Sequence, residues 1–252
     1  VETSKYIINT SEVKARLTTP NTILLAIMAG IYVGMGAFGY IFIGQTMGNI
    51  DVGLMKFFGA AVFPVGLMLV VFTGSELFTG DTLMTMAVLD KRINFPEMMR
   101  TWILVYLGNL IGSIALAFAI YKSGMITGAT EELVLKVAGG KLSLDFTSAV
   151  IRGLLCNILV VLGMWLSYSA QDVGSKILGI WFPVMLFVLV GFEHSVANMF
   201  FLPLAKFVGI GPSWIDIFTL NIIPVTIGNI LAGGIMIPFV YYNAHIQPLK
   251  DN

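Results

Sequence analysis

The fold is decided by the stretch VFTGSELFTGD, residues 71–81, which places two glycines and two carboxylates inside a long apolar run. That run extends over residues 53–89, and a straight helix of this length would measure about 55 Å at a rise of 1.5 Å per residue. The hydrocarbon core of a bilayer is only about 30 Å thick. The helix must therefore be interrupted near Gly74, and non-helical backbone at that depth is tolerated only where it faces protein or a water-filled cavity.

The composition of the chain is that of a membrane protein. Hydrophobic residues make up 57% of the 252 residues, charged residues make up 11%, and the mean hydropathy is +0.90. The net charge is zero and no long basic run occurs, so we expect no nucleic-acid partner. Cys156 is the only cysteine, which excludes an internal disulfide and a thiolate metal site. We expect neither a metal nor a cofactor.

Apolar runs separated by polar clusters predict an all-α, polytopic protein with six transmembrane helices. The predicted spans are residues 21–44, 53–89, 97–121, 147–169, 176–207 and 214–242. The fifth span contains a second interruption, GFEHS, at residues 191–195. Residues 1–20 are predicted to form an amphipathic segment on the membrane surface, with a partly ordered tail as the alternative.

The two interruptions match each other, and so do two glycine–asparagine pairs. The matched positions, each separated by about 120 residues, are Gly74 and Gly191, Glu76 and Glu193, Gly108 and Gly228, and Asn109 and Asn229. Each half contains three spans, an odd number, so the second half must enter the membrane from the opposite side. We therefore predict a single channel domain over residues 1–252, built from two inverted three-helix repeats, 21–122 and 146–242, with broken second and fifth helices. Such repeats are typical of transport proteins with a solute site near the membrane midplane.

Polar side chains near the interruptions are the candidates for contact with a solute. His194 is predicted at mid-membrane, where an unpartnered ionisable group costs about 2.5 kcal/mol or more, so a pore-lining role is favoured over a structural one. Thr79 supplies a hydroxyl, and Lys141 supplies positive potential near a pore mouth. Glu76 and Glu193 are expected to brace the interrupted backbone by accepting hydrogen bonds from its N–H groups.

Large apolar side chains near the interruptions are candidates for constrictions that strip water from a solute, although ordinary packing explains each of them as well. They are Phe63, Leu67, Leu77, Val160 and Phe187. The interruptions also create half-helix N-termini, whose partial positive charge favours an anion over a metal cation.

Two motifs resemble the signatures of a known family. VFTGSELFTG, residues 71–80, resembles the first signature of the formate/nitrite transporters, and GLLCN, residues 153–157, resembles the second. The resemblance extends over the whole chain and implies an aquaporin-like protomer, assembled as a homopentamer in a prokaryotic inner membrane and permeable to small monovalent anions. Carried over by position, the pore residues of the family fall on His194, Glu193, Thr79, Lys141 and Asn157.

The resemblance also implies the constrictions. One falls on Leu67 and Phe187 with Phe63 and Val160, and the other falls on Leu77.

The function predicted from the residues and the resemblance together is a passive anion channel. The chain is most similar to the hydrosulfide channel branch, so hydrosulfide is the first expectation, with formate and nitrite also permeant. His194 could in addition lend a proton to a weak-acid anion. The alternatives are proton-coupled symport, with His194 and Glu193 relaying the proton, and a neutral-solute pore for water or glycerol. An intramembrane enzyme is not expected, because His194 has no predicted nucleophile or metal partner. Lys and Arg in the loops predict that both termini are cytoplasmic.

Overall fold

The computed structural model describes residues 1–209 and 211–250, and within these ranges every regular element is helical. Among the described residues, six helices have the length and apolar composition needed to cross a membrane, as predicted. Large apolar side chains such as Leu24, Leu107 and Phe239 are exposed on the outer surface. That surface is typical of a multi-pass membrane protein, whose solvent is lipid.

The two halves of the chain contain equivalent helices. The first half consists of α1 (Glu2–Ala15), α2 (Thr19–Gly44), α3 (Val52–Thr73), α4 (residues 78–89) and α5 (Phe95–Lys122). The second half consists of α6 (Ala129–Leu142), α7 (Phe146–Ser169), α8 (Val173–Val190), α9 (Ser195–Phe207) and α10 (Trp214–Leu249). The broken second span is thus α3 with α4, and the broken fifth span is α8 with α9.

Side-chain caps fix where the spans begin. Thr18, Asn94 and Asp145 each accept a hydrogen bond from a backbone N–H in the first turn of the helix that follows. A cap of this kind stabilises a helix by about 1 kcal/mol. The hydrogen bonds from Ser148 hold the pKa of Asp145 below its usual value.

A glycine in the left-handed conformation ends the first half of each broken span. Gly74 has φ of 68° and Gly191 has φ of 78°, a region that residues with a side chain rarely adopt. The next residue then closes the helix end, because Ser75 N donates to Val70 O at 3.0 Å and Phe192 N donates to Phe187 O at 2.9 Å.

The first break is braced by Asn109 of α5. Its Oδ1 accepts a hydrogen bond from Phe78 N at 2.9 Å, and its Nδ2 donates to Glu76 O at 2.9 Å. The same Nδ2 donates to Ala26 O of α2 at 2.8 Å. One amide therefore ties together the broken span and its two neighbours.

Asn229 of α10 does the same at the second break. Its Oδ1 accepts from Ser195 N at 3.0 Å, and its Nδ2 donates to Glu193 O at 3.2 Å. The prediction that the carboxylates of Glu76 and Glu193 brace the backbone is therefore wrong. An amide can both donate and accept, whereas an ionised carboxylate can only accept, and a broken helix leaves both kinds of backbone group unpaired.

Each repeat is preceded by a short surface helix. The prediction of a helix near the N-terminus agrees with α1, which buries Ile7 and Ile8, whereas α6 lies between two predicted spans and is not predicted. The two helices are equivalent, because Lys14 lies four residues before the cap Thr18 and Lys141 lies four residues before the cap Asp145. α1 is also held by an ion pair of Glu12 with Arg92, whose hydrogen bond lowers the pKa of Glu12.

Candidate functional site

A narrow central cavity lies between the two breaks. Its lining residues are Val33, Phe63, Leu67, Leu77, Val160, Val184, Phe187 and His194. The volume is about 10 Å³, which is close to the minimum for a single water molecule. All five side chains predicted as constrictions line this cavity together with His194. Leu77 and His194 are the residues directly before α4 and α9, so both half-helices begin at its wall.

A larger cavity of about 90 Å³ adjoins the first one on the side of α6. Lys141, Glu193 and His194 line it, as do Phe63 and Phe187. These two phenylalanine rings border both cavities and meet edge to face, with centroids 5.7 Å apart. Leu77 lines the central cavity with the other four apolar side chains, and its place in a second constriction stays a prediction.

His194 and Thr79 form a hydrogen-bonded pair that joins the two repeats. Nε2 of His194 lies 2.9 Å from Thr79 Oγ1, and Nδ1 accepts a hydrogen bond from Ala197 N at 3.0 Å. Because a backbone N–H can only donate, Nδ1 carries no proton, and the neutral ring holds its proton on Nε2. His194 therefore donates to the Thr79 hydroxyl, whose own proton is left for another acceptor. Both side chains are buried.

The α6 mouth, defined by Lys141, Glu193 and Asn198, contains the first of two lysine–glutamate pairs. Lys141 Nζ lies 3.1 and 3.2 Å from the two carboxylate oxygens of Glu193. Asn198 Nδ2 donates to Glu193 Oε2 at 2.6 Å. The predicted residues Lys141 and Glu193 are thus brought together beside the larger cavity, with Glu193 fixing the lysine.

The second pair lies in a cluster of Lys14, Glu76 and Asp81, here named the α1 mouth, where Lys14 and Asp81 line a separate cavity of about 10 Å³. Lys14 Nζ lies 2.9 Å from Glu76 Oε2 and 2.5 Å from Asp81 Oδ1. No role is predicted from the sequence for Lys14 or Asp81, although Lys14 lies at the same distance from its cap as Lys141. Within the described ranges, no three His, Cys, Asp or Glu side chains are grouped as metal ligands.

Asn157 lies away from both cavities. Its Nδ2 donates to Thr82 Oγ1 at 3.2 Å and to Asn229 O at 2.7 Å, and the side chain is fully buried. The prediction that Asn157 lies beside the pore stays a prediction, because neither cavity is lined by it. The contacts instead connect α7 with α4 and α10, so Asn157 positions the first broken span.

Comparison with known proteins agrees with this architecture. The family model described as formate/nitrite transporter matches residues 1–243. A probable formate transporter of Methanothermobacter thermautotrophicus is 37% identical over 265 residues, covering 98% of this chain and 96% of the relative. The solved structure of an FNT family ion channel has a TM-score of 0.89 at 30% identity, covering 96% of this chain and 98% of the other. A pentameric formate channel with formate bound has a TM-score of 0.81 at 32% identity, with coverages of 90% and 98%. The chain therefore belongs to the formate/nitrite transporter family, as its two signature motifs predict.

Proposed function

We propose that this protein is a passive membrane channel for small monovalent anions, with formate as the first permeant. The observation that carries the proposal is the Thr79–His194 pair, a polar contact beside an apolar cavity with a lysine at the mouth on either side. The relative named as a formate transporter and the formate-bound structure support formate. Hydrosulfide and nitrite are proposed as further permeants on the resemblance alone.

In this proposal an anion first meets a lysine ammonium group at a mouth and then loses its water at the apolar side chains. Lys141 and Lys14 are each paired with a carboxylate, so they act on an anion at short range, through the N–H groups of the ammonium. Phe63, Phe187 and Leu77 leave room for about one water molecule, which excludes a hydrated ion. The Thr79 hydroxyl offsets the loss of water, because a hydrogen bond to a charged group contributes about 1.5–3 kcal/mol.

The role proposed for His194 is to orient this hydroxyl rather than to lend a proton. A charged imidazole would need a proton on Nδ1, and that nitrogen already accepts the hydrogen bond that caps α9. The N-terminus of α9 carries the partial positive charge of the helix dipole, which disfavours a positive charge on the imidazole beside it. The same geometry argues against a proton relay through His194 and Glu193, and the two lysine mouths favour an anion over water or glycerol.

We further propose a homopentamer with one pore per protomer, as in the pentameric formate channel that the fold resembles. The proposed location is a prokaryotic inner membrane, with both termini and the α1 mouth on the cytoplasmic side. The excess of Lys and Arg in the loops on the side of α1 supports this orientation.

Stopped-flow measurements on proteoliposomes test the proposal. Formate, hydrosulfide, nitrite, chloride and glycerol are presented in turn, with protein-free liposomes and liposomes holding the heat-unfolded protein as controls. We expect fast entry of formate and no glycerol entry above the controls. Glycerol entry as fast as formate entry, or no formate entry through assembled protein, would contradict the proposal.

A further inference from the structure

The two mouths differ at one matched position. In the α6 mouth, Asn198 follows Glu193 by five residues and donates its amide hydrogen to the Glu193 carboxylate. In the α1 mouth, Asp81 follows Glu76 by the same five residues. The inverted repeat therefore places a carboxyl group where its counterpart has an amide.

Asp81 is enclosed and lies against a second carboxylate. Its side chain is 1% exposed and that of Glu76 is 4% exposed. Lys14 Nζ contacts both, so the two carboxyl groups share one ammonium group. Oδ2 of Asp81 is buried and accepts no hydrogen bond from any residue that the structure describes. A charged oxygen in this position is unfavourable, whereas a protonated one can donate.

The net charge of each mouth also favours a protonated carboxyl group at Asp81. Lys141 and Glu193 balance each other, so the α6 mouth is neutral. Lys14 with two ionised carboxylates would leave one negative charge at the α1 mouth. A single proton on Asp81 makes the net charge of the α1 mouth zero, equal to that of the α6 mouth. Asp81 then carries a hydrogen-bond donor, as Asn198 does in the α6 mouth. Two carboxylates in one enclosed site also resist ionising together.

The remaining surroundings of Asp81 supply little further charge. Its ionisable neighbours among the described residues are Lys14 from α1, Glu76 from the first break and Tyr168 from α7. From α5, Trp102 Nε1 donates to the backbone carbonyl of Asp81 at 2.9 Å, and α10 approaches this region at Gly233. Within the described ranges Lys14 is therefore the one cation in contact with the carboxylate pair.

We propose that Glu76 and Asp81 form a proton-binding site, in which a proton on Asp81 is hydrogen-bonded to the Glu76 carboxylate. The site stands on these contacts, while its effect on transport rests on the proposed function. Release of the proton leaves a negative charge at the α1 mouth and repels an entering anion. At a separation of about 10 Å, one charge lowers anion entry by about 2- to 15-fold, depending on the local dielectric constant.

Infrared spectroscopy of the purified full-length protein at neutral pH tests the site without any transport. The parent is expected to show the carbonyl band of a protonated carboxyl group, shifted in D₂O. Asp81→Asn and Glu76→Gln should each lose that band, because one carboxylate then remains beside Lys14. Asn198→Asp, which builds the same pair in the α6 mouth, should gain a second band. A band that persists in Asp81→Asn, or no new band in Asn198→Asp, would overturn the proposal.

Formate flux then tests the consequence. In the parent, flux should fall as the pH on the side of the α1 mouth is raised, and Asp81→Asn should remove this dependence. If Asp81→Asn does not assemble, Asn198→Asp supplies the test, because it should add a pH dependence on the opposite side. Equal pH dependence in the parent and Asp81→Asn would overturn the link to transport. An absence of formate flux in the parent, with the infrared band present, would contradict the proposed function and leave the proton site intact.

Discussion

Replacing Thr79 with valine removes the hydroxyl that contacts His194 while keeping a branched side chain. The hydroxyl accepts from His194 Nε2 at 2.9 Å and, in our proposal, donates to the permeating anion. A hydrogen bond to a charged group is worth about 1.5–3 kcal/mol. If that bond forms at the highest barrier, formate flux should fall by about 10- to 150-fold, at about 1.36 kcal/mol for each factor of ten.

The assay is formate entry into proteoliposomes, compared with Thr79→Ser as the matched control. Serine keeps the hydroxyl, so this variant should retain most of the parent flux. Thr79→Val also leaves the His194 N–H without its acceptor, at a cost in stability of about 1–3 kcal/mol, so the assembly of each variant is checked by size-exclusion chromatography. An assembled Thr79→Val that passes formate within about threefold of the parent would refute the role of this hydroxyl, because the smallest expected loss is about tenfold.

Three further predictions concern the same pore. His194→Phe should unfold at a lower temperature than His194→Asn, because asparagine can cap α9 and phenylalanine cannot. The cap is worth about 0.5–2 kcal/mol in the free energy of unfolding, and equal unfolding temperatures would contradict the capping role. Phe187→Ala should admit larger carboxylates such as propionate, since it removes a ring between the two cavities, and continued exclusion of propionate would show that this ring is not a constriction. Lys141→Gln should lower formate flux most at low ionic strength, because the screening length is about 30 Å at 0.01 M salt and about 10 Å at 0.1 M. A loss of flux that does not depend on salt would indicate structural damage instead.

The spans and their breaks could be predicted because a bilayer constrains sequence strongly. Every backbone polar group at membrane depth needs a hydrogen-bond partner. The length of an apolar run therefore predicts a span, and glycines inside the run predict a break. Gly74 and Gly191 mark both breaks in the sequence. The matched pair Asn109 and Asn229 is also visible as a repeat, but its role as the brace depends on contacts that only the fold reveals.

The mouths could not be predicted in the same way, because their partners are far apart along the chain. Lys14 lies 62 residues from Glu76 and 67 from Asp81, and no local pattern connects them. The sequence does not predict α6 as a helix, because its 14 residues are too short to cross a membrane and include two consecutive glycines. Its match to α1 becomes visible only when the positions of Lys14 and Lys141 relative to the following helix are compared.

The measurement that tests the central claim most directly is the distribution of formate across a proteoliposome membrane under an imposed voltage, with equal pH on both sides. A passive anion channel moves one charge with each formate, and about 100 mV acting on one charge is worth about 2.3 kcal/mol. The account predicts that formate approaches a ratio of about 50 across the membrane, given about 1.36 kcal/mol per factor of ten. It also predicts that a pH gradient without a voltage drives no accumulation beyond that in protein-free liposomes. A formate ratio that does not change with voltage but increases with the pH gradient would contradict the channel and establish proton-coupled transport.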